Sequence, residues 1–422
     1  MTVICPAGEL DLSRFLRRGD RIVAGQACGE PSTLLEALLE QGEKIGELSL
    51  FIATSFSGLL TGESDAFALS SMGAIGALRT AARAHRLRVV PCHVSRIGPM
   101  LEDRTLGCDV AFVQVSPADG EGRHSLGLIS DHVRAAVHAA RTVVAEVNDR
   151  VPYTFGESLH VSEIDCLVTV SRPPIQVPAA VPSPVDTAIA AHAAPYIGDG
   201  AVVQVGIGAV PDALLRLLGD RTDLGVHSGM IGDGLVDLVE AGVVTNARKE
   251  IDAGVSITGA LIGTDRLYRF ADRNPAVRMR AAAYTHDAAV LGRLTNLVTL
   301  NSALEVDLSG QVNAEQSGSS YLGGTGGQVD FVRAGARSPG GRALIALPAT
   351  AKGGTLSRIT AALSGPVTTA RTDVDVIVTE FGAAELRGRT LAERARRLIE
   401  IAHPDFRETL SRTAHEIERR GY

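Results

Sequence analysis

The stretch that decides the fold runs from residue 198 to residue 211 and reads GDGAVVQVGIGAVP. A glycine turn leads into a short apolar run, a second glycine loop follows, and a proline comes next. This order predicts a β-strand, a tight loop and the first turn of a helix, because proline fits a first helical turn. The same order occurs earlier, where residues 19–25 read GDRIVAG and Pro31 follows. The chain is therefore expected to contain two related halves.

Both halves predict an α/β fold with mainly parallel strands. In the first half, short β-branched runs alternate with Ala- and Leu-rich helical stretches. The predicted strands are residues 21–24, 48–53, 88–90, 110–115 and 142–147. Residues 172–184 contain five prolines, which can continue neither element. We therefore predict an N-terminal domain over residues 1–180 and a C-terminal domain over residues 186–422, with a site where their strand ends meet.

Composition excludes several classes of function. The 422 residues carry a net charge of -7, with 4% aromatic residues and no Trp, so neither nucleic acid nor an anionic membrane is an expected partner. The five cysteines form no C-x-x-C pair, and no secretory leader or membrane span is visible, which favours the cytoplasm. The eleven histidines are scattered, so no metal is expected. The sequence contains no G-x-S-x-G motif, so a serine hydrolase is not expected.

Three glycine-containing loops are candidate ligand sites. Residues 206–211 follow a predicted strand and open a helix, so their amides either face an anion or oxyanion or only form a tight turn. Residues 321–331 hold four glycines in five positions, which suits either close approach to a ligand or a flexible surface loop. Lys352 stands before two glycines and contacts either phosphate or solvent. Glu305 and Asp307 lie at strand spacing and are candidates for acid and base, or for structural roles.

Taken together, these segments resemble the acetyl-CoA hydrolase/transferase branch of the class I CoA-transferases. The resemblance covers nearly the whole chain in family order. The matching stretches are residues 113–119 (VQVSPAD), 206–211, 301–315, 323–331, 351–354, 378–388 (VTEFGAAELRG) and 401–404 (IAHP).

The resemblance implies two open-sheet α/β/α domains with an acyl-CoA site at their junction. Coenzyme A or acyl-CoA would be a substrate rather than a tightly bound cofactor, and a small carboxylate or other acceptor its partner. In such enzymes a glutamate attacks the thioester, giving an acyl-glutamyl anhydride and then a glutamyl-CoA thioester. A homo-oligomer, most simply a homodimer, is also expected.

Site residues follow from the resemblance. The amides of Ile207 and Gly327 match an oxyanion hole, and Lys352 matches a CoA-contacting lysine. The expected CoA-contacting residues of the two loops are Gly206, Ile207, Gly208, Ala209, Val210, Gly324 and Gly326.

The sequence departs from the family at the nucleophile. The family's glutamate belongs to an H-S-E-type motif, whereas residues 226–234 read VHSGMIGDG and place Gly229 at that position. Glycine has no side chain, so the glutamyl steps cannot occur there. Engineered inactivation, replacement by another carboxylate (Asp233 or Glu305) and repurposing of the site are the three alternatives. In the third, the vacated space is expected to admit water or part of the substrate.

We expect an enzyme that acts on a CoA thioester, by acyl or CoA transfer or by hydrolysis, without the usual glutamyl-CoA intermediate. The alternatives are a lyase or decarboxylase on an acyl-CoA, a conventional CoA-transferase that uses another carboxylate, and a non-catalytic acyl-CoA-binding protein. Oxyanion stabilisation favours the first, since each donor contributes roughly 2.7–4 kcal/mol without a covalent nucleophile.

Overall fold

An eight-stranded sheet forms the first half of the chain. The computed structural model describes residues 2–421. The strands are β1 (Val3–Pro6), β2 (Arg21–Ala24), β3 (Leu48–Phe51), β4 (Phe67–Ser71), β5 (Leu87–Val89), β6 (Val110–Val115), β7 (Thr142–Asn148) and β8 (Cys166–Val170). Their order across the sheet is β1-β8-β7-β6-β2-β3-β4-β5, and every neighbouring pair is parallel. The predicted parallel α/β architecture is confirmed.

A six-stranded sheet forms the second half. Its strands are β9 (Val202–Val205), β10 (Gly225–Val226), β11 (Leu297–Ser302), β12 (Arg342–Ala346), β13 (Val376–Thr379) and β14 (Gly382–Glu385). Their order is β10-β9-β11-β12-β13-β14, and only the β13–β14 pair is antiparallel. The proline-rich segment lies between the two sheets, and we retain residues 1–180 and 186–422 as a proposed division.

Thirteen α-helices of residues 2–421 connect and cover the strands. They are α1 (Ser32–Ile45), α2 (Leu78–Arg83), α3 (Val94–Glu102), α4 (Val133–Ala139), α5 (Pro184–Ala193), α6 (Ala209–Leu217), α7 (Asp233–Glu240), α8 (Asp265–Ala271), α9 (Ala282–Thr285), α10 (Ala288–Leu291), α11 (Gln328–Arg337), α12 (Leu391–Glu400) and α13 (Pro404–Arg420). Within this described range, no helix has both the length and the apolar character needed to cross a membrane.

Short strands complete the fold, and one set joins the halves. Phe155–Gly156 of the first half pairs with Val277–Met279 of the second, which also pairs with Ser256–Thr258. The other short strands are Arg123–Ser125, Ser158–His160, Met230–Ile231, Ala260–Leu261, Glu305–Asp307, Val312–Asn313, Gln316–Ser317, Ser320–Tyr321, Thr350–Ala351, Leu356–Ser357 and Ile359–Thr360.

The halves also share buried apolar surface. Val23 and Val113 of the first sheet belong to the same buried cluster as Val203 and Val205 of the second. Burial of apolar surface is the main favourable term in folding, so this shared core holds the two sheets in a fixed relation.

The glycine-rich loop packs directly on the first half. Gly324 forms an antiparallel bridge with Gly73, and the amide of Ala74 donates to the Gly323 carbonyl oxygen at 2.7 Å. Val94 N donates to Gly326 O at 2.9 Å. A side chain at Gly73 would not fit, since its Cβ would lie 2.6 Å from Gly324 Cα and closer still to Gly323 O. The absence of side chains at Gly73 and Gly324 therefore allows the backbone of the glycine-rich loop to contact the backbone of the first half.

We predict that Gly73→Ala lowers stability by about 1–3 kcal/mol, because the obstructing atoms are backbone and cannot rotate away. The measurement is denaturant unfolding followed by circular dichroism. Gly120→Ala is the matched control, since a Cβ there meets nothing within 4 Å. Equal stability of the two variants would contradict the close contact.

Candidate active site

A cavity of about 190 Å³ lies between the two halves. Its walls come from both. The first half contributes Gln26, Ala27, Thr54, Phe56, Met72, Ile75, Val94, Ile129 and Asp131. The second contributes Gln204, Gly206, Ile207, Gly229, Met230, Ala260, Ile262, His286, Asn301, Gly326, Gly327, Gln328 and Phe331.

The cavity lies at the topological switch point of each sheet, where the strand order reverses. In the first sheet the chain runs outward from β2 on one side and from β6 on the other, and Gln26 follows β2. In the second sheet β9 is flanked by β10 and β11, and Gly206 follows β9. Ligands of open α/β sheets bind at the carboxyl ends of strands at such points. The two segments that look alike in sequence thus contribute adjoining walls.

The unpaired backbone amides on the wall include the two that the resemblance assigns to an oxyanion hole. Neither Ile207 N nor Gly327 N donates a hydrogen bond to any residue between 2 and 421. Ile207 precedes α6, and Gly327 is the N-cap of α11. Gly208 has a φ of +122°, a conformation that side chains disfavour, and it turns the chain from β9 into α6. The cavity therefore presents two free donors near helix N-termini, where an anion is favoured.

Backbone hydrogen bonds hold Gly229 in place. Ser228 N donates to Ile257 O at 3.0 Å, and Ser228 Oγ donates to Val205 O at 3.0 Å. Gly229 O accepts from Gly259 N at 3.2 Å. Position 229 is therefore fixed beside the end of β9, next to the loop that carries Ile207.

The imidazole of His286 fills the space in front of Gly229. A Cβ at position 229 would lie 2.8 Å from His286 Cε1 and 2.9 Å from Nε2. A Cβ at Gly327 would lie 2.7 Å from His286 Cδ2. The ring also packs on Phe331, with ring centroids 4.6 Å apart. The ring at the end of α9 therefore occupies the direction that a side chain at position 229 would take, while Gly229 itself lines the cavity. That the vacated space admits water or part of the substrate stays a prediction.

His286 is neutral in this environment. Burial lowers the pKa of its imidazole to about 3, and the nearby His227 acts in the same direction. Its Nδ1 lies 2.8 Å from Thr285 Oγ1. Thr285 Oγ1 in turn donates to Ala281 O at 3.4 Å, so the hydroxyl oxygen accepts from Nδ1–H. This assignment leaves Nε2 as an unprotonated acceptor.

Asp131 brings a carboxyl group of the first half to the cavity, where its Oδ1 and Gly229 O both lie against Gly259. Burial raises its pKa to about 7, although Gln26 opposes the shift by donating from Nε2 to Oδ2 at 2.6 Å. Within residues 2–421, Asp131 Oδ1 and Gln26 Oε1 have no hydrogen-bond partner. Asp131 also contacts the second half, since Ala282 N donates to its carbonyl oxygen at 2.8 Å. The cavity thus combines a titratable group from each half.

The structure brings together part of the predicted site. Gly206, Ile207, Gly229, Gly326 and Gly327 line the cavity. The other predicted residues do not line it. Gly208 is the N-cap of α6, and Ala209 and Val210 are its first residues. Gly324 packs on Gly73, and Lys352 lies on an exposed turn.

The two alternative carboxylates have structural partners elsewhere. Asp233 accepts from Thr264 N at 3.0 Å and from Leu267 N at 3.2 Å, which fixes the start of α8. Glu305 accepts from Ser364 N at 2.7 Å and Asn313 Nδ2 at 2.9 Å. Neither lines the cavity.

Asp307 is likewise structural, since it accepts from Ser309 N at 2.9 Å and Gln311 N at 3.0 Å. No group of three or more metal-ligating His, Cys, Asp and Glu side chains occurs in the described part of the chain.

Sequence reasoning missed Gln26, Asp131 and His286. None belongs to a recognisable motif, and each reaches the cavity through long-range contacts. One signal for Gln26 was present, because it follows the first of the two repeated segments at the place where Ile207 follows the second.

Comparison with known proteins identifies the family. Residues 9–178 match the acetyl-CoA hydrolase/transferase N-terminal domain, and residues 263–414 match the C-terminal domain of the same name. The 4-hydroxybutyrate coenzyme A transferase of Clostridium kluyveri is 40% identical over 396 residues, which cover 92% of this chain and 92% of that protein.

Solved structures also match nearly the whole chain. RipA from Yersinia pestis superposes with a TM-score of 0.92 at 34% identity, covering 99% of this chain and 98% of its own. The 4-hydroxybutyrate CoA-transferase from Porphyromonas gingivalis gives a TM-score of 0.83 at 34% identity, with 99% and 98% covered. Because the matches extend over both halves, the chain belongs to the acetyl-CoA hydrolase/transferase family, whose members act on CoA thioesters.

Proposed function

We propose that this protein catalyses direct attack of water or another acceptor on an acyl-CoA thioester, without a glutamyl-CoA intermediate. The observation that carries the proposal is the pair of free amides, Ile207 N and Gly327 N, beside a nucleophile position that holds Gly229. A tetrahedral oxyanion gains stabilisation from such donors whether or not an enzyme side chain is the nucleophile. Coenzyme A is part of the substrate, and no tightly bound cofactor is proposed.

Among the cavity-lining residues, Asp131 carries the one carboxyl group. It is poorly suited to nucleophilic attack, because a pKa of about 7 leaves much of it protonated at neutral pH and Gln26 donates to its Oδ2. A conventional transferase would require this group to replace the family glutamate. The direct reaction requires only the free amides and a nucleophile from solution.

The cavity is large enough for only part of an acyl-CoA molecule. A space of about 190 Å³ takes an acyl group and its thioester, so the nucleotide part of coenzyme A extends outside it. We place the predicted CoA loops, from Gly206 to Val210 and around Gly324 and Gly326, along that path. Lys352 is exposed on its turn and is proposed to contact the CoA phosphates.

We further propose that the enzyme is a cytoplasmic homo-oligomer. Cys5, Cys28, Cys92, Cys108 and Cys166 are all free thiols, which suits a reducing compartment. Closed symmetric assemblies are the common state of soluble enzymes, which supports a homodimer as the simplest choice.

Borohydride trapping tests the direct reaction. Wild-type protein mixed with acetyl-CoA is expected to release thiol, with no residue converted to the alcohol that reduction of an enzyme-bound thioester would leave. Thiol release is followed with a disulfide reagent, and the peptide that contains Asp131 is weighed by mass spectrometry. A reduced Asp131 would establish a covalent transferase instead.

Restoring the glutamate tests the role of position 229. Gly229→Glu alone is expected to be crowded by His286, whereas G229E combined with His286→Ala has room for the new side chain. The double variant should gain CoA transfer to acetate and a reducible glutamyl thioester, because correct placement of a nucleophile gives effective molarities of roughly 10⁵ M or more. G229A with H286A is the control. A folded, CoA-binding double variant that forms no adduct would show that position 229 does not face the thioester.

Substitution of Lys352 tests whether this residue contacts coenzyme A. Lys352→Ala should raise KM for acetyl-CoA several-fold and leave kcat nearly unchanged, the pattern of lost uniform binding. Lys44→Ala is the matched control, since Lys44 is an exposed lysine in the last turn of α1, in the first half. A fall in kcat at constant KM would instead assign Lys352 to the chemical step.

A further inference from the structure

Within residues 2–421, the Nε2 atom of His286 has no hydrogen-bond partner, although the residue, which is 5% exposed, lines the cavity. The only hydrogen bond of the imidazole ring within residues 2–421 is the contact of Nδ1 with Thr285 Oγ1 at 2.8 Å. Nε2 lies 2.9 Å from the place where a Gly229 Cβ would be, and nearer still to the corresponding place at Gly327. An acceptor atom is therefore held against both Gly229, at the family's nucleophile position, and Gly327, which carries one of the free amides.

We propose that Nε2 of His286 is the general base that activates a water molecule for attack on the thioester. The inference rests on the proposed function and deepens it, because it selects water among the nucleophiles that direct attack allows. A carboxylate acceptor already carries its lone pair and needs no base, whereas water must lose a proton as it attacks. The cavity of about 190 Å³ has room for water, which requires roughly 10–15 Å³ in the same measure.

The step balances with the groups present. Nε2 takes a proton from water while the water oxygen bonds to the thioester carbon, and the carbonyl π electrons move to the oxygen held by Ile207 N and Gly327 N. Collapse of this intermediate breaks the C–S bond, and the imidazolium returns its proton to the leaving thiolate. The products are a carboxylic acid, which ionises in solution, and free coenzyme A.

Burial and catalysis are compatible at this position. Burial lowers the pKa of the imidazole, which keeps Nε2 unprotonated at neutral pH and also makes it a weak base until a negative charge forms nearby. In the transition state a negative oxyanion forms beside it, so the positive imidazolium gains a neighbour of opposite charge. The interaction exists only during the reaction, which is the condition for lowering the barrier.

The first test separates the base from a space-filling ring. His286→Asn keeps an amide near the Nδ1 position, where it can still bond to Thr285, and removes Nε2; His286→Gln keeps a non-basic polar atom near Nε2. Both variants are expected to lose 10²–10⁴-fold in kcat for acetyl-CoA hydrolysis, with KM changed by less than about threefold. His124→Asn is the control, because His124 is buried in a strand of the first half and contacts Ser116 O.

Two further measurements test whether the His286→Ala variant is folded and whether Nε2 of His286 lies beside the acyl group. Added imidazole should restore part of kcat in His286→Ala, which a merely misfolded variant would not show. Bromoacetyl-CoA should alkylate Nε2 of His286 in the wild-type enzyme, with loss of bromide, whether or not the enzyme turns over acetyl-CoA.

The outcomes are distinct. Wild-type thiol release that survives in His286→Asn within threefold would overturn the base and leave the proposed function intact. No thiol release from wild type would overturn the proposed function, and with it the general-base role. Absence of the His286 adduct after bromoacetyl-CoA treatment would overturn the placement of Nε2 beside the acyl group.

Discussion

The meeting of two strand ends, β2 of the first sheet and β9 of the second, is the constraint on which the site depends. Each strand is followed by a loop at the point where the strand order of its sheet reverses. These loops supply Gln26 in the first half and Ile207 in the second. The Gly73–Gly324 bridge and the buried cluster shared by Val23 and Val203 keep these ends together. Without that contact neither half encloses a cavity, because each contributes only part of the wall.

Much of the fold was predictable because its signals are local. Residues 21–24 and 110–115 were predicted as strands from their β-branched runs and have those same bounds in the structure. The repeat of turn, strand and glycine loop gave the two halves and the meeting of their ends. These features depend on sequence neighbours, so periodicity alone is sufficient to detect them.

The chemistry of the cavity was less predictable, because it depends on contacts between distant residues. Gly229 was recognisable as a missing side chain, but the ring that fills the gap comes from residue 286, on a different loop. Asp131 is ordinary in sequence and becomes unusual only when burial raises its pKa to about 7. Conversely, Glu305 stood out in sequence and proves to be occupied by Ser364 and Asn313.

The buried carboxyl group of Asp131 has a consequence for ligand binding itself. Near pH 7 this group is divided between its protonated and ionised forms, and water in the cavity favours the ionised one. An apolar acyl chain that displaces this water raises the pKa further, so binding takes up a fraction of a proton from the medium. The heat of acyl-CoA binding at neutral pH therefore depends on the ionisation enthalpy of the buffer. Calorimetry in two buffers of different ionisation enthalpy would therefore measure the number of protons that Asp131 takes up on binding, which activity assays do not report.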